Sequence, residues 1–182
     1  MKYNLYIMKT STWTQLAFCL LSSVFYACNS SHVYYLDATS GSDQNNGTSP
    51  RSAWQSIEVL KQISLQPGDK ILLKKGETYP GILEVTGKGT YTPPIIIDAY
   101  GEGNQKPCIA GNDTSMYAVR IFNSDYFTIQ NLEISNTGKE RKAGRTGLKV
   151  ECTDYGISHN IRINILTIRD VNGSLVKGEG GG

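Results

Sequence analysis

The chain has 182 residues, a length that suits one domain, with a net charge of +2, modest hydrophobicity and many Gly and Tyr residues. The net charge comes from Lys2 and Lys9, because basic and acidic residues are equal in number after Cys28. Bulk charge therefore gives no sign of a nucleic-acid partner, and the composition is that of an extracytoplasmic β-rich domain.

Residues 1–27 are predicted to be a signal peptide. The segment 16–27, LAFCLLSSVFYA, is apolar, follows a basic residue, ends in Ala and is too short to span a bilayer. VFYAC resembles the lipobox of bacterial lipoproteins, which implies that Cys28 is lipidated and that residues 28–33 form a tether. Phe25 stands where that pattern has Leu, so ordinary cleavage is the alternative. We expect a protein anchored by lipid to a bacterial membrane, in the periplasm or at the cell surface.

Residues 34–80 are predicted to form an N-terminal cap made of a strand, a polar loop, a helix and a strand. The loop SGSDQNNGTSP is dense in residues that tolerate turns. In AWQSIEVLKQI the apolar residues recur every three positions, which predicts a short amphipathic helix with Ser52 as its N-cap. Those apolar residues are Trp54, Ile57, Leu60 and Ile63.

Residues 81–182 contain an internal repeat of roughly 30 residues. FTIQNLEISN aligns with IRINILTIRD, and in each copy the two-residue apolar alternation slips by one position, at Gln130-Asn131 in the first. A further strand precedes each copy, AVRIF and then GLKVEC, while GILEV, PIIIDAYG and PCIAG fit one earlier coil. Such short units cannot bury their apolar faces alone, so we expect them to stack with parallel pairing.

These segments, together with YYLDATSGSDQNNGTSPRSAWQSI and LQPGDKILLKKGETY, resemble the N-terminal part of secreted right-handed parallel β-helix proteins of the pectate-lyase-like superfamily. The resemblance implies an all-β solenoid with a short N-terminal capping helix. It places Asn131 at the corner between the second and third strands of a coil. Ile165 holds the matching place in the next coil, so no continuous Asn ladder is expected. Because the sequence stops at DVNGSLVKGEGGG without a polar capping element, we expect a solenoid truncated at its C-terminus, whose coils over 81–182 are incomplete.

Three outward cations are candidates for catalysis. If Val119 and Ile121 point inward, Arg120 points outward, and Lys149 takes the equivalent position in the following coil. A similar interval leads to Lys177, so the three would form a column spaced by about 4.8 Å per coil. The alternative is that they are unrelated solvated charges.

A loop of like charge, GKERKAGRTGLK, is the candidate for substrate binding. It could clamp an anionic sugar chain between coils, although a charge run is more often a solvated loop. The cations proposed for this role are Lys139, Arg141, Lys142 and Arg145.

The resemblance implies a polysaccharide lyase that cleaves acidic, uronate-containing glycans by β-elimination, in which basic residues or Ca²⁺ neutralise the uronate. No metal motif is present in the sequence, so we expect a Ca²⁺ site only in the complete protein, if the enzyme uses one. A hydrolase is the less favoured enzyme, since Glu133, Glu151 and Asp154 show no evident pairing. A non-catalytic carbohydrate-binding or structural β-helix lipoprotein is the other alternative. We expect a monomer.

Two cysteines remain for the folded part, Cys108 and Cys152, and we expect no disulfide between them. His159 lies in a predicted surface turn. We interpret it as a surface histidine, and proton transfer by its imidazole is the alternative.

Overall fold

The structure is a computed structural model that describes residues 30–179, so the predicted signal peptide and Cys28 lie outside the described part. Residues 30–179 form two short 3-10 helices, Pro50–Ser52 and Ile57–Gln62, and twelve strands. The strands are β1 (Val33–Leu36), β2 (Lys70–Lys74), β3 (Thr78–Pro80), β4 (Leu83–Val85), β5 (Ile95–Tyr100), β6 (Cys108–Ala110), β7 (Tyr117–Phe122), β8 (Phe127–Gln130), β9 (Glu133–Asn136), β10 (Thr146–Glu151), β11 (Arg162–Asn164) and β12 (Thr167–Val171). Within this range no helix is both long and apolar enough to cross a membrane.

The strands form three parallel sheets. The first sheet has the order β4-β7-β10, the second β1-β2-β5-β8-β11 and the third β3-β6-β9-β12. Each coil therefore gives one strand to each sheet, as in β4-β5-β6, β7-β8-β9 and β10-β11-β12. The expected parallel pairing of AVRIF with GLKVEC and of FTIQ with IRIN is confirmed. This nearly all-β arrangement is consistent with a β-helix solenoid.

The apolar interior lies between the three sheets and is built from side chains stacked in register. Ile129 pairs with Ile97 of the preceding coil and with Ile163 of the following one. Ile134 pairs in the same way with Ile109 and Ile168. In the first two coils these side chains are completely buried. The alignment of the two repeats predicted from the sequence is therefore confirmed residue by residue at these positions.

The interior side chains of the third coil are much more accessible. Ile163 is 47% exposed and Ile168 is 49% exposed, although they continue the ladders that are fully buried one coil earlier. Among residues 30–179 no further strand pairs with the outer edges of β10, β11 and β12. This edge of the stack therefore presents apolar surface and unpaired backbone groups.

The slip in the alternation is a corner in the left-handed backbone region. Asn131 has φ +57° and Ile165, one coil later, has φ +52°. Asn131 Nδ2 and Gln130 Nε2 donate to the two oxygens of Asp98, each at 2.7 Å. The corner amide thus bonds to a carboxylate of the preceding coil, and a left-handed residue explains why the inward face changes register there.

The helix predicted over AWQSIEVLKQI is shorter than expected, and it is a 3-10 helix. The apolar period of three is the period of a 3-10 helix, and Ile57–Gln62 adopts that form with Ser56 at its N-cap position. Ser52 is not an N-cap, since it ends the first 3-10 helix, which Ser49 caps. Trp54 lies between the two helices, where its indole nitrogen donates to the Asn45 carbonyl at 2.8 Å. That tertiary contact competes with continuous helix.

Candidate functional site

The outer face of the first sheet carries charged residues at matched positions on three strands. Arg120 of β7 pairs in register with Glu84 of β4 and with Lys149 of β10. The predicted stacking of Arg120 and Lys149 is therefore found. The row begins with an acid, however, and it is not a column of cations.

Arg120 is held on all sides by neighbouring side chains. Its Nη1 donates to Glu84 Oε2 at 3.0 Å and its Nε donates to Glu151 Oε2 at 2.9 Å. The guanidinium carbon lies 3.9 Å from the centroid of the Phe122 ring and 5.5 Å from that of Tyr117. Two ion pairs and two aromatic contacts fix the plane of the guanidinium.

The ion pairs perturb the acid and the base in opposite directions. The hydrogen bond from Lys149, whose Nζ lies 3.0 Å from Glu151, and the bond from Arg120 hold the pKa of Glu151 below its ordinary value, although partial desolvation acts the other way. Burial alone would lower the pKa of Arg120, but Glu84 and Glu151 raise it. A general acid needs a raised carboxyl pKa, so Glu151 is not prepared for that role here.

Lys177 does not stack on Lys149. It lies in a turn after β12, is exposed and belongs to none of the strands in residues 30–179. The interval used to reach it assumed that another strand of the first sheet begins there. Within the described part of the chain, the candidate column thus contains only Arg120 and Lys149.

The basic loop between β9 and β10 divides into one buried cation and three exposed ones. Arg145 is only 2% exposed. Its Nη1 donates to the Glu140 carbonyl at 3.0 Å and to Asn172 Oδ1 at 2.6 Å, and its Nη2 donates to the Asp113 carbonyl at 2.6 Å. Arg145 therefore ties the loop to its neighbours, and its burial keeps it from a glycan at the surface, unlike the other three candidate cations.

The remaining loop cations border a shallow cavity of about 470 Å³. Lys139 Nζ lies 3.7 Å from Asp113 Oδ2, and Arg141 donates to the Gly173 carbonyl at 3.1 Å. Lys142 is exposed and forms no ion pair among residues 30–179. Their predicted role in holding an anionic glycan stays a prediction.

A polar cluster that sequence reasoning missed lies at the turns between the first and second sheets. Tyr155 donates to Asp125 Oδ2 at 2.5 Å, and the His159 backbone N–H donates to Asp125 Oδ1 at 2.7 Å. His159 Nδ1 is also 3.1 Å from Asp125 Oδ1, and its ring stacks on Tyr126. Burial alone would raise the pKa of Asp125, but these hydrogen bonds lower it. The signal was available in TDYGISHN, which follows the strand GLKVEC and precedes the second copy of the repeat.

Neither a metal site nor a disulfide is found among residues 30–179. Within residues 30–179 no group of three or more His, Cys, Asp or Glu side chains is placed to hold a metal ion. Cys108 is buried, Cys152 is exposed, and neither is in a disulfide.

Known proteins with similar sequences and structures act on glycans. The chain is 27% identical over 200 aligned positions to a lacto-N-biosidase from Bifidobacterium longum subsp. longum, an alignment covering 81% of this chain. Over 66 residues, 36% of the chain, it is 32% identical to alpha-1,3-galactosidase A from Akkermansia muciniphila. The crystal structure of the GH136 lacto-N-biosidase from Eubacterium ramulus matches 79% of the chain with a TM-score of 0.71 and 31% identity. No family model matches the chain.

The chain spans a minor part of each of these proteins. It covers 12% of the lacto-N-biosidase from Bifidobacterium longum, 11% of the alpha-1,3-galactosidase and 28% of the crystallised lacto-N-biosidase chain. The similarity therefore bears on the coils described here, and the activity of a whole protein is a separate question.

Proposed function

We propose that this chain forms the first coils of an extracytoplasmic glycoside hydrolase that acts on oligosaccharides, in the manner of a lacto-N-biosidase. The observation that carries the proposal is the match to the GH136 lacto-N-biosidase structure, at a TM-score of 0.71 and 31% identity over 79% of the chain. The sequence similarity to the lacto-N-biosidase from Bifidobacterium longum covers a comparable share of the chain and supports the same assignment.

Uronate cleavage by β-elimination is the second candidate, and the structure gives it less support than the sequence did. That mechanism needs cations free to neutralise a substrate carboxylate and a base to remove the adjacent proton. Arg120 and Lys149 are already paired with Glu84 and Glu151. A uronate at this face would have to displace a carboxylate that is held by the same cations, so we favour hydrolysis.

The proposal includes further coils stacked on the open edge of β10, β11 and β12, in a right-handed parallel β-helix whose first turn is covered by residues 34–80. Support comes from Ile163 and Ile168, which are about half exposed at positions that are fully buried one coil earlier. Covering them would stabilise the stack by roughly 25 cal/mol for each Å² of apolar surface removed from water. In this scheme the catalytic carboxyl groups belong to those further coils.

We also propose that the protein is a lipoprotein anchored through Cys28. The support is the sequence VFYAC after a short apolar segment. Cys28→Ser should move the protein from the membrane fraction to the soluble fraction and abolish fatty-acid labelling. Unchanged membrane association would remove this part of the proposal.

The activity is tested by incubating the complete protein with a panel of glycans and separating two chemical outcomes. The panel contains oligosaccharides with a terminal lacto-N-biose unit, oligosaccharides with α-1,3-linked galactose, and pectic, alginate and glycosaminoglycan chains. Release of a saturated sugar with a new reducing end would support the hydrolase. An ultraviolet-absorbing unsaturated uronate would instead support the lyase, and binding without cleavage of any glycan would favour the non-catalytic alternative.

A further inference from the structure

A cleft of about 630 Å³ lies beside the turns that lead from the first sheet to the second. One wall is the segment 61–66, which ends the second 3-10 helix and continues past it. The other wall is formed by residues 86–88 of one coil, Asn123 of the next and Tyr155 of the third. The cleft therefore crosses three coils, and its volume falls within the range of sites for small ligands.

The walls are held in place before any ligand binds. The Tyr155 hydroxyl is bonded to Asp125 at 2.5 Å, which fixes the ring at the edge of the cleft. Asn123 bonds twice to the backbone of Thr153, through its Oδ1 at 2.8 Å and its Nδ2 at 3.1 Å. Leu65 pairs with Gly87 across the floor in a parallel bridge. A site built in this way loses little conformational entropy on binding.

The chemistry of the lining favours an anionic ligand with hydroxyl groups. Among residues 30–179 the lining has two ammonium groups, Lys61 and Lys88, and no carboxylate. Lys61 pairs with Glu58, whereas Lys88 is in no ion pair among residues 30–179 and lies 5.1 Å from the centroid of the Tyr155 ring. Asp125 sits behind Tyr155, where both of its oxygens are already bonded.

We propose that this cleft is a saccharide subsite that selects a sugar unit bearing a carboxylate or a sulfate. Lys88 donates to the anionic group, the accessible part of the Tyr155 ring contacts the apolar face of the sugar, and Gln62 and Gln66 bond its hydroxyl groups. The inference rests on the proposed function, because glycan binding by the whole protein is what brings a sugar to this surface. It assigns to the cleft binding alone and no part in bond cleavage.

The test is titration calorimetry of the full chain with three probes: digalacturonic acid, a sulfated chondroitin disaccharide and neutral lactose. We expect one or both acidic probes to bind, with an affinity that falls as ionic strength rises, and lactose to bind at least tenfold more weakly. If only one acidic probe binds, it identifies the anionic group; if both bind, the cleft accepts either a carboxylate or a sulfate. Equal affinity for lactose, or no binding of either acidic probe, would overturn the inference.

Substitutions at Lys88 and at Tyr155 connect the binding to the cleft. Lys88→Gln should weaken the acidic probe by about tenfold, the effect of losing one charge-assisted hydrogen bond. The matched control is Lys70→Gln, which removes the same charge from an exposed position on β2 outside the lining and should leave the affinity unchanged. Tyr155→Phe keeps the ring and should bind better than Tyr155→Ala. Equal affinities for the Lys88 and Lys70 variants would also refute the site.

The outcome is independent of the test of hydrolysis. A protein that releases sugars but binds no acidic probe would retain the proposed function and lose this inference. A protein that binds the acidic probe through Lys88 but cleaves nothing would retain the subsite and lose the hydrolase.

Discussion

Replacing the left-handed isoleucine at the third coil's corner should stabilise the protein. Ile165 has φ +52°, a conformation that costs a residue with a Cβ roughly 1–2 kcal/mol and that Asn adopts more readily. Its side chain is 68% exposed, so Ile165→Asn sacrifices little burial. The hydrogen bond from Lys106 Nζ at 2.7 Å goes to the backbone carbonyl of Ile165 and is kept. We therefore expect the free energy of unfolding to rise by about 1 kcal/mol, which is roughly 2–4 °C in Tm for a domain of this size.

The measurement is thermal unfolding of the parent and the variant by calorimetry, with urea unfolding as the second method. The matched control is Ile157→Asn, because Ile157 is 72% exposed but has no positive φ. That exposed substitution should change stability by less than about 0.5 kcal/mol. If Ile165→Asn is no more stabilising than the control, or destabilises the chain, the corner does not carry the strain on which this prediction rests.

Three further predictions concern buried and partly buried polar groups. Tyr79→Phe should destabilise the chain by about 2 kcal/mol, because the buried Tyr79 hydroxyl donates to one backbone carbonyl at 2.8 Å and accepts a backbone N–H at 2.9 Å. The control is Tyr91→Phe at an exposed site, which should have no measurable effect in urea unfolding. Arg145→Met should lower the free energy of unfolding by about 3 kcal/mol through the loss of its three hydrogen bonds, whereas Lys142→Met in the same loop should lower it by less than about 0.5 kcal/mol. Similar Tm values for the two variants would contradict the anchoring role of Arg145. The pKa of Asp125 is lowered in the folded state, so its ionised form contributes stability above a pH of about 4, and this stability is lost as the pH falls through the folded pKa. The Tm difference between the parent and Asp125→Asn should therefore shrink in acid. A Tm difference that stays constant with pH would argue against this contribution.

The architecture was predictable because the sequence contains two copies of the same strand-corner-strand repeat. One-residue slips at Asn131 and at Ile165 recur with the same apolar positions on either side, and only stacked coils use both copies in the same way. The register followed from alignment, since residues that share an interior ladder must face the same way. The partner of the corner amide did not follow. Asp98 belongs to a less regular coil that the alignment did not include.

The helix at the front shows where local periodicity is insufficient. The period of three from Trp54 to Ile63 fits a 3-10 helix better than the 3.6-residue period of an α-helix, but it does not show where the helix begins. Tertiary contacts set that boundary. Trp54 donates to the Asn45 carbonyl, and its backbone N–H donates to the carbonyl of Tyr35, which removes the first turn that the pattern assigned to the helix.

At the candidate site the sequence reasoning placed the two cations in register but overlooked the acids that neutralise them. Arg120 and Lys149 stack as expected, yet the acids that neutralise them were also readable. Glu151 follows Lys149 by two residues and so projects from the same face of the strand. Glu84 occupies the place in LEV that Arg120 occupies in VRI, which alignment of the earlier coil would have shown. A predicted column of like charges therefore has to be evaluated together with the opposite charges on the same face of the sheet.

The charge balance on the first sheet has a consequence for which sugars this surface can select. Glu84, Arg120, Lys149 and Glu151 sum to no net charge, and each cation has a carboxylate within 3.0 Å. An approaching uronate would gain little from cations that it must share, because the existing pairs would have to be broken to bind it. Aromatic rings flank Arg120, and rings of this kind contact the apolar faces of neutral sugars as well as of acidic ones. We therefore expect this face to be indifferent to substrate charge, and selection for an anionic unit to depend on the cleft beside Lys88.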